Sequence, residues 1–267
     1  MHCGSLGLPL GAGKAKALDP DVAYYLRRCP TPASMPFADA LNTFVIGMKA
    51  AGLWAKMMDI GLFIGDLQCS LVKLKFTTPG VCANTGLVST DYGQLGLAFG
   101  TGKGLNTGVS IPTLAQYNWH LSLWRSVPGV VSFTSGIGSS YAATGDTNRF
   151  YLCGSNTAGE RTTADLGWGS YYASAVAGMG GRGLATFGVN ANSASGLTAF
   201  MNGVNFLTTS SAGRDGRQTG TIEININASG AVGNPCYGAY TIGLGLTQAD
   251  NWAFWGLMNQ FQTGLGR

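Results

Sequence analysis

Residues 197–204 read Leu197-Thr198-Ala199-Phe200-Met201-Asn202-Gly203-Val204. An apolar run meets Asn-Gly, a dipeptide that accepts φ > 0 at both central positions of a type I′ turn. That turn suits the right-handed twist of two flanking strands, so the stretch predicts an antiparallel hairpin. Residues 184–189 form another strand-like run just upstream. Residues 221–226 form a third, in which Ile222, Ile224 and Ile226 alternate with Thr221, Glu223 and Asn225. A period of two marks a half-buried strand.

The same pattern extends from about residue 70 to 246. Further strands are expected at 72–76, 95–99, 119–124, 130–133, 149–153 and 239–242, and Asp91-Tyr92-Gly93 marks a turn before the second of these. Clusters of Gly, Asn, Ser and Thr separate them. Many short strands so punctuated mean a sandwich or barrel, not a parallel sheet. Composition points the same way. The 267 residues include 42 glycines, more than double the usual share of about 7%. Glycine supplies φ > 0 at turns and lets strands bend. Only 10% of residues are charged and 45% are apolar, which suffices for a core. Disorder, collagen and long coiled coils are excluded by the apolar content, the aperiodic glycines and the helix cost of glycine.

Helices flank this region. Leu41, Phe44, Val45 and Met48 recur at helical spacing, and Gly52 supplies a C-terminal cap. A second helix is expected from Trp54 through Met57, Met58 and Ile60 to 64, giving a helical hairpin over 37–68. At the far end Thr247-Gln248-Ala249-Asp250 resembles a capping box, with Asp in place of the usual Glu. Phe254, Leu257, Met258, Phe261 and Leu265 share one face of the helix that follows. The expected division is therefore an arm over 1–36, the hairpin over 37–68, a sandwich over 69–246 and a C-terminal helix over 247–267. In the arm, Asp19 caps a short helix with Pro20 in its first turn, and Val22, Tyr25 and Leu26 share a face. Such an arm either lies on its own body or reaches a neighbour. Its assembly residues are read as Asp19, Tyr24, Tyr25, Arg27 and Arg28.

Net charge is +4, with eight Lys/Arg against five Asp/Glu in residues 1–75 and seven against seven in 76–266. That is too thin for a nucleic-acid footprint. No apolar stretch approaches the roughly 20 residues of a membrane-spanning helix. The six cysteines include no CxxC spacing and His is scarce, so no zinc site is expected. The start of the chain lacks the pattern of a secretory signal, and buried free thiols in a reducing cytoplasm are expected.

The order of parts resembles a known family. A segment Phe37-Ala38-Asp39 and then Leu53-Trp54-Ala55-Lys56-Met57-Met58-Asp59 precede the glycine-rich β region. Leu95-Gly96-Leu97-Ala98-Phe99-Gly100 leads to Leu105-Asn106-Thr107-Gly108. The strand pair ending at Asn202-Gly203 follows, then Tyr240-Thr241-Ile242-Gly243 and Leu246-Thr247-Gln248-Ala249-Asp250. Over residues 37–265 this is similar to the laminin-G/concanavalin-A-like jelly-roll proteins of tailed-bacteriophage virions. The resemblance implies a mainly β, antiparallel jelly-roll sandwich with an N-terminal helical pair and a C-terminal helix. It also implies a structural virion component, as a tail, fibre or head-decoration subunit made in the host cytoplasm. Its partners would be other virion proteins and copies of itself. A carbohydrate-binding role toward a host-surface glycan is the alternative.

Catalytic patterns are weak. Gly100-Thr101-Gly102-Lys103-Gly104 and Gly11-Ala12-Gly13-Lys14-Ala15 both miss the phosphate-loop pattern, with Leu97 and Leu8 at the first Gly position. His2 and His120 are the only histidines, and a Ser-His-Asp triad would need His120. Gly136-Ile137-Gly138-Ser139-Ser140 lacks the closing Gly of a nucleophile elbow. Glycosidases need two carboxylates. Glu223 could find a partner only at a distance, at Asp165 or Glu160. Asp146 and Asn148 supply one carboxylate, too little for a cation wanting six to eight oxygens. No catalytic residue, metal or cofactor is assigned. Sugar binding would use aromatic platforms, and Trp168, Tyr171 and Tyr172, in a Gly/Ser-rich stretch, are the candidates.

Overall fold

The computed structural model describes residues 17–30, 35–115, 117–127, 136–140, 149–153, 163–165, 182–189, 197–208, 220–225 and 235–267. In chain order the elements are α1 (Pro20–Arg28), α2 (Met35–Ala50), β1 (Met57–Leu62), α3 (Leu67–Leu71), β2 (Lys73–Lys75), β3 (Ala83–Thr85), β4 (Tyr92–Gly93) and β5 (Gly96–Ala98). They continue with β6 (Gly104–Ser110), β7 (Trp119–Val127), β8 (Gly136–Ser140), β9 (Arg149–Cys153), β10 (Thr163–Asp165) and β11 (Gly183–Val189). The last are β12 (Thr198–Met201), β13 (Val204–Thr208), β14 (Thr221–Ile224), β15 (Cys236–Gly243) and α4 (Gln248–Gly264).

Among the described residues every strand pairing is antiparallel and the strands form two sheets. The larger runs β13-β12-β11-β7-β15-β1-β2, with β5 also on β15 and β4 on β5. The smaller runs β10-β9-β8-β14-β6-β3. This is the mainly β jelly-roll sandwich with helices near both ends of the chain.

Alternation along the strands builds two cores. On β7, Trp119, Leu121 and Leu123 point between the sheets, where they join Leu105, Ile137, Ile222 and Ile224 of the smaller sheet. Trp124 points the other way and joins Val22, Leu41, Phe44, Met48, Phe254, Met258 and Phe261 of α1, α2 and α4. The layers are therefore helices, larger sheet, smaller sheet. The Phe44 and Phe261 rings stack at 5.1 Å, which docks α4 on α2 as the shared apolar faces require.

Local signals explain the elements. α2 ends in a Schellman pattern: Gly52, at φ +69°, donates to Lys49 O, and Leu53 donates to Met48 O. The Thr247 side chain accepts from Asp250 N while the Asp250 carboxylate accepts from Thr247 N, a capping box that starts α4. The predicted turn is present, with Met201 paired to Val204, Asn202 at φ +53° and Gly203 at φ +77°.

One expectation is corrected. Residues 54–64 do not form a second helix of a hairpin. After a short 3-10 turn at Trp54–Lys56, β1 runs through the larger sheet between β15 and β2. Ile60, Leu62 and Ile64 face the helices, while Phe63 faces the smaller sheet. A strand buried on both faces reads as a continuous apolar run, which periodicity alone does not separate from a buried helix. Gly61 carries the decisive information: a Cβ there would lie 2.0 Å from the Tyr240 ring. The β15 tyrosine lies across it.

The cysteine expectation is also corrected in part. Cys29, just after α1, forms a disulfide with Cys69 of α3. Cys82 and Cys236 are free and buried. The expected strand at 130–133 lies outside the described residues.

Candidate functional site

The arm residues lie on the body of their own chain. Asp19 caps α1 by accepting from Asp21 N at 3.0 Å, and its own amide donates to Asn42 of α2 at 2.7 Å. Lys49 of α2 bridges Asp19 and Asp21 at 2.7 and 2.6 Å. Tyr25 is fully buried, and Arg28 donates to Lys73 O and Gly80 O. Tyr24 stays exposed, with the guanidinium groups of Arg27 and Arg28 over its ring at 5.9 and 5.3 Å. Three of the five residues thus hold α1 down, and Tyr24 and Arg27 look outward. Trp168, Tyr171, Tyr172, Asp146, Asn148 and Glu160 lie outside the described residues, as do His2 and 11–15.

His120 has a structural setting. It is buried, its Nδ1 lies 2.6 Å from Leu244 O and its Nε2 3.0 Å from Thr241 Oγ1. A carbonyl can only accept, so Nδ1 carries the proton and Nε2 accepts from Thr241. The Thr241 hydroxyl in turn accepts from Ser122. Burial pushes the imidazole pKa down to about 4, despite the Leu244 carbonyl. Both ring nitrogens are spent on this chain of hydrogen bonds.

A second polar cluster joins the sheets. Lys73 of β2 and Asp59 of β1 are both fully buried, with Nζ 2.7 Å from Oδ2. Lys73 also donates to Thr78 Oγ1 at 2.9 Å and to Thr107 O on β6. Tyr240 donates to Asp59 Oδ1 at 2.7 Å and contacts Cys82 Sγ at 3.2 Å. Burial pushes the Asp59 carboxyl above its usual range, against the pull of Lys73, and pushes the Cys82 thiol up to about 11. Three acceptors around one ammonium suit a locked charge.

The helices cover one outer face of the sandwich. On the other, the outer face of the smaller sheet, β6 and β14 carry polar side chains. Ile222 and Ile224 of β14 point inward; Thr221 and Glu223 point out. Asn106 of β6, in register with Glu223, donates to Thr221 Oγ1 at 2.7 Å and to Glu223 Oε1 at 3.0 Å. The row continues through Gly138 and Tyr151 to Asp165. Asp165 stands three strands from Glu223, roughly 14 Å away by backbone spacing.

Two other features are exposed or cleft-lining. A cleft of about 210 Å³ is lined by Phe37, Ile64, Tyr92, Gln94, Leu265 and Arg267. The Arg267 guanidinium donates to Gln94 O, Phe63 O and Gln262 Oε1, which ties the end of α4 to the sheet. Sequence reasoning missed Trp252 and Trp255. They lie off the Phe254–Met258–Phe261 face, and the helical wheel alone could have flagged them.

Among the described residues no helix is long and apolar enough to cross a membrane. Among them, too, no group of three or more His, Cys, Asp or Glu side chains could hold a metal ion. No family model and no curated protein sequence matches the chain. Solved structures do. Domain 4 of AbnA, an extracellular arabinanase of glycoside hydrolase family 43 from Geobacillus stearothermophilus in complex with arabinotriose, matches with a TM-score of 0.54 at 14% identity, covering 75% of this chain and 98% of that one. Trypanosoma rangeli sialidase in complex with sialic acid matches with a TM-score of 0.47 at 12% identity, and the match spans 82% of this chain and 38% of that enzyme. The likeness to the arabinanase domain establishes a shared β-sandwich fold.

Proposed function

We propose that the chain is a non-catalytic carbohydrate-recognition module. The observation that carries this reading is the asymmetry of the two outer faces. Helices seal one, and on the other β6 and β14 present the hydrogen-bonding row of Asn106, Thr221 and Glu223. Amide, hydroxyl and carboxylate groups on a rigid sheet are what sugar hydroxyls need as partners. A domain of this fold solved with arabinotriose supports the capacity of such a sandwich to hold a short oligosaccharide.

The virion setting implied by the sequence resemblance belongs to the same proposal. There the sugar would be a host-surface glycan. The N-terminal segment, with Tyr24 and Arg27 outward, would contact other virion proteins or further copies of the chain.

A glycan array probed with the parent, Asn106→Ala, Glu223→Gln and Trp168→Ala tests the reading. The parent is expected to bind a defined glycan set, and Glu223→Gln to weaken binding about tenfold, since a lost hydrogen bond to a charged group is worth roughly 1.5–3 kcal/mol. A parent that binds no glycan overturns the proposal.

A further inference from the structure

We infer that the exposed side of α4 is a second sugar-binding surface, built on Trp252 and Trp255 and suited to a neutral saccharide. It rests on the carbohydrate reading above and adds a site and a ligand class to it.

The helix buries Phe254, Met258 and Phe261 toward α2 and the larger sheet. Trp252 faces away, 55% exposed, and Trp255 is partly buried beside it. Their ring centroids are 5.1 Å apart with planes at 46°. An indole left in water at this cost in apolar surface marks a contact site.

The pair is held in place. Gln248 donates to Gly203 O at 2.6 Å, which clamps the start of α4 to the β12–β13 turn. A Cβ on Gly203 would come within 3.0 Å of Trp252 Cα and Cε3, so the turn backbone buttresses that side of the residue. One turn along, a Cβ on Gly256 would meet nothing within 4 Å. That leaves an open step beside the two rings.

The rim selects the ligand. Asp250 is the only charged side chain in the 17 residues of α4, and Lys56 pairs with it at 2.6 Å. Exposed polar groups further along are the amides of Asn259 and Gln260. Amides donate and accept at once, as sugar hydroxyls do. An acidic sugar would find no cation on the helix to compensate its charge. A protein partner is disfavoured by size: two indoles supply at most about 500 Å², against roughly 800 Å² per side in a standard interface.

The test is tryptophan fluorescence and affinity measurement on the full chain with arabinotriose, cellotriose and a sialylated trisaccharide. The variants are Trp252→Ala, Trp255→Ala and Trp252→Tyr, with circular dichroism confirming the fold. A neutral trisaccharide is expected to shift the emission and bind the parent. Trp252→Ala should weaken it about tenfold, with Trp252→Tyr in between. Binding of neutral sugars unchanged in both alanine variants overturns this inference and leaves the sheet reading standing. A parent that binds no sugar overturns both. Alanine variants that alter sedimentation but not sugar binding identify a protein interface, and the inference falls.

Discussion

The two sheets are built from the same kind of short antiparallel strand, yet their far faces are treated in opposite ways. The central strands of the larger sheet, β11, β7, β15 and β1, are buried on both sides, by helices and by the partner sheet. Two of its buried polar groupings are closed sets: Asp59 with Lys73 and Tyr240, and Ser122 with Thr241 and His120. The smaller sheet buries one side. Its polar side chains on the other, such as Glu223, have water as an alternative partner. Burial therefore turns a polar group into structure in one sheet and leaves it available for recognition in the other.

The sharpest way to break that contrast is Lys73→Met. It leaves the Asp59 carboxylate buried without its counter-ion, and breaking such a pair costs about 3–5 kcal/mol. Urea denaturation should show this loss. The double variant Asp59→Leu/Lys73→Met should recover much of it, because an apolar pair removes the desolvation penalty. A cost for Lys73→Met below about 1 kcal/mol would mean that water reaches the pair and that the larger sheet is not sealed.

Next in size is the disulfide Cys29–Cys69, which spans 40 residues and ties α1 to α3. Cys29→Ser should lower stability by about 4 kcal/mol on chain-entropy grounds. It should also raise protease cleavage within residues 20–28, with Val22 and Tyr25 no longer fastened. If cleavage stays at the parent level, the helix layer holds without the link.

The third test uses pH. The folded imidazole of His120 is held near pKa 4, below the ordinary value of 6.5, because burial disfavours the cation. A depressed folded pKa means that the unfolded chain binds the proton more tightly. Stability is therefore full above about pH 6.5 and falls as pH drops toward 4, by about 3 kcal/mol over that window. His120→Gln should flatten this slope in thermal melts between pH 4 and 7. An equal slope in the variant would assign the acid sensitivity to other groups.

The elements also differ in how well the sequence announces them. Asn202-Gly203, the alternation over 221–224 and the Thr247–Asp250 box are legible because each is a local device with its own energy; the expected outward Asn225 is instead buried at φ +59°, past the end of β14. β1 is not legible, because a strand buried on both faces loses the alternation that identifies it. Only the Tyr240 ring across Gly61 explains that glycine, and Tyr240 is 179 positions away. The candidate site was half legible. Alternation alone puts Glu223 outward, but its meeting with Asn106 depends on the register of β6 and β14. Trp252 and Trp255 lie off the Phe254–Met258–Phe261 stripe of α4, and helical periodicity assigns a role only to that stripe. The Cys29–Cys69 pair had no local signal at all.

The smallest expected effect is the most discriminating. Glu223→Gln keeps the size and shape of the side chain, and its amide oxygen can still accept from Asn106. On a solvent-facing strand such a change should move stability by less than about 0.5 kcal/mol. The same change removes the only charge from the row Asn106–Thr221–Glu223. Denaturation midpoint and glycan affinity should therefore separate: the first unmoved, the second weakened. A matched fall in both would make Glu223 a structural residue like Asp59. A fall in neither would leave the open face without a ligand, and recognition would then have to come from α4 or from the stretch around Trp168.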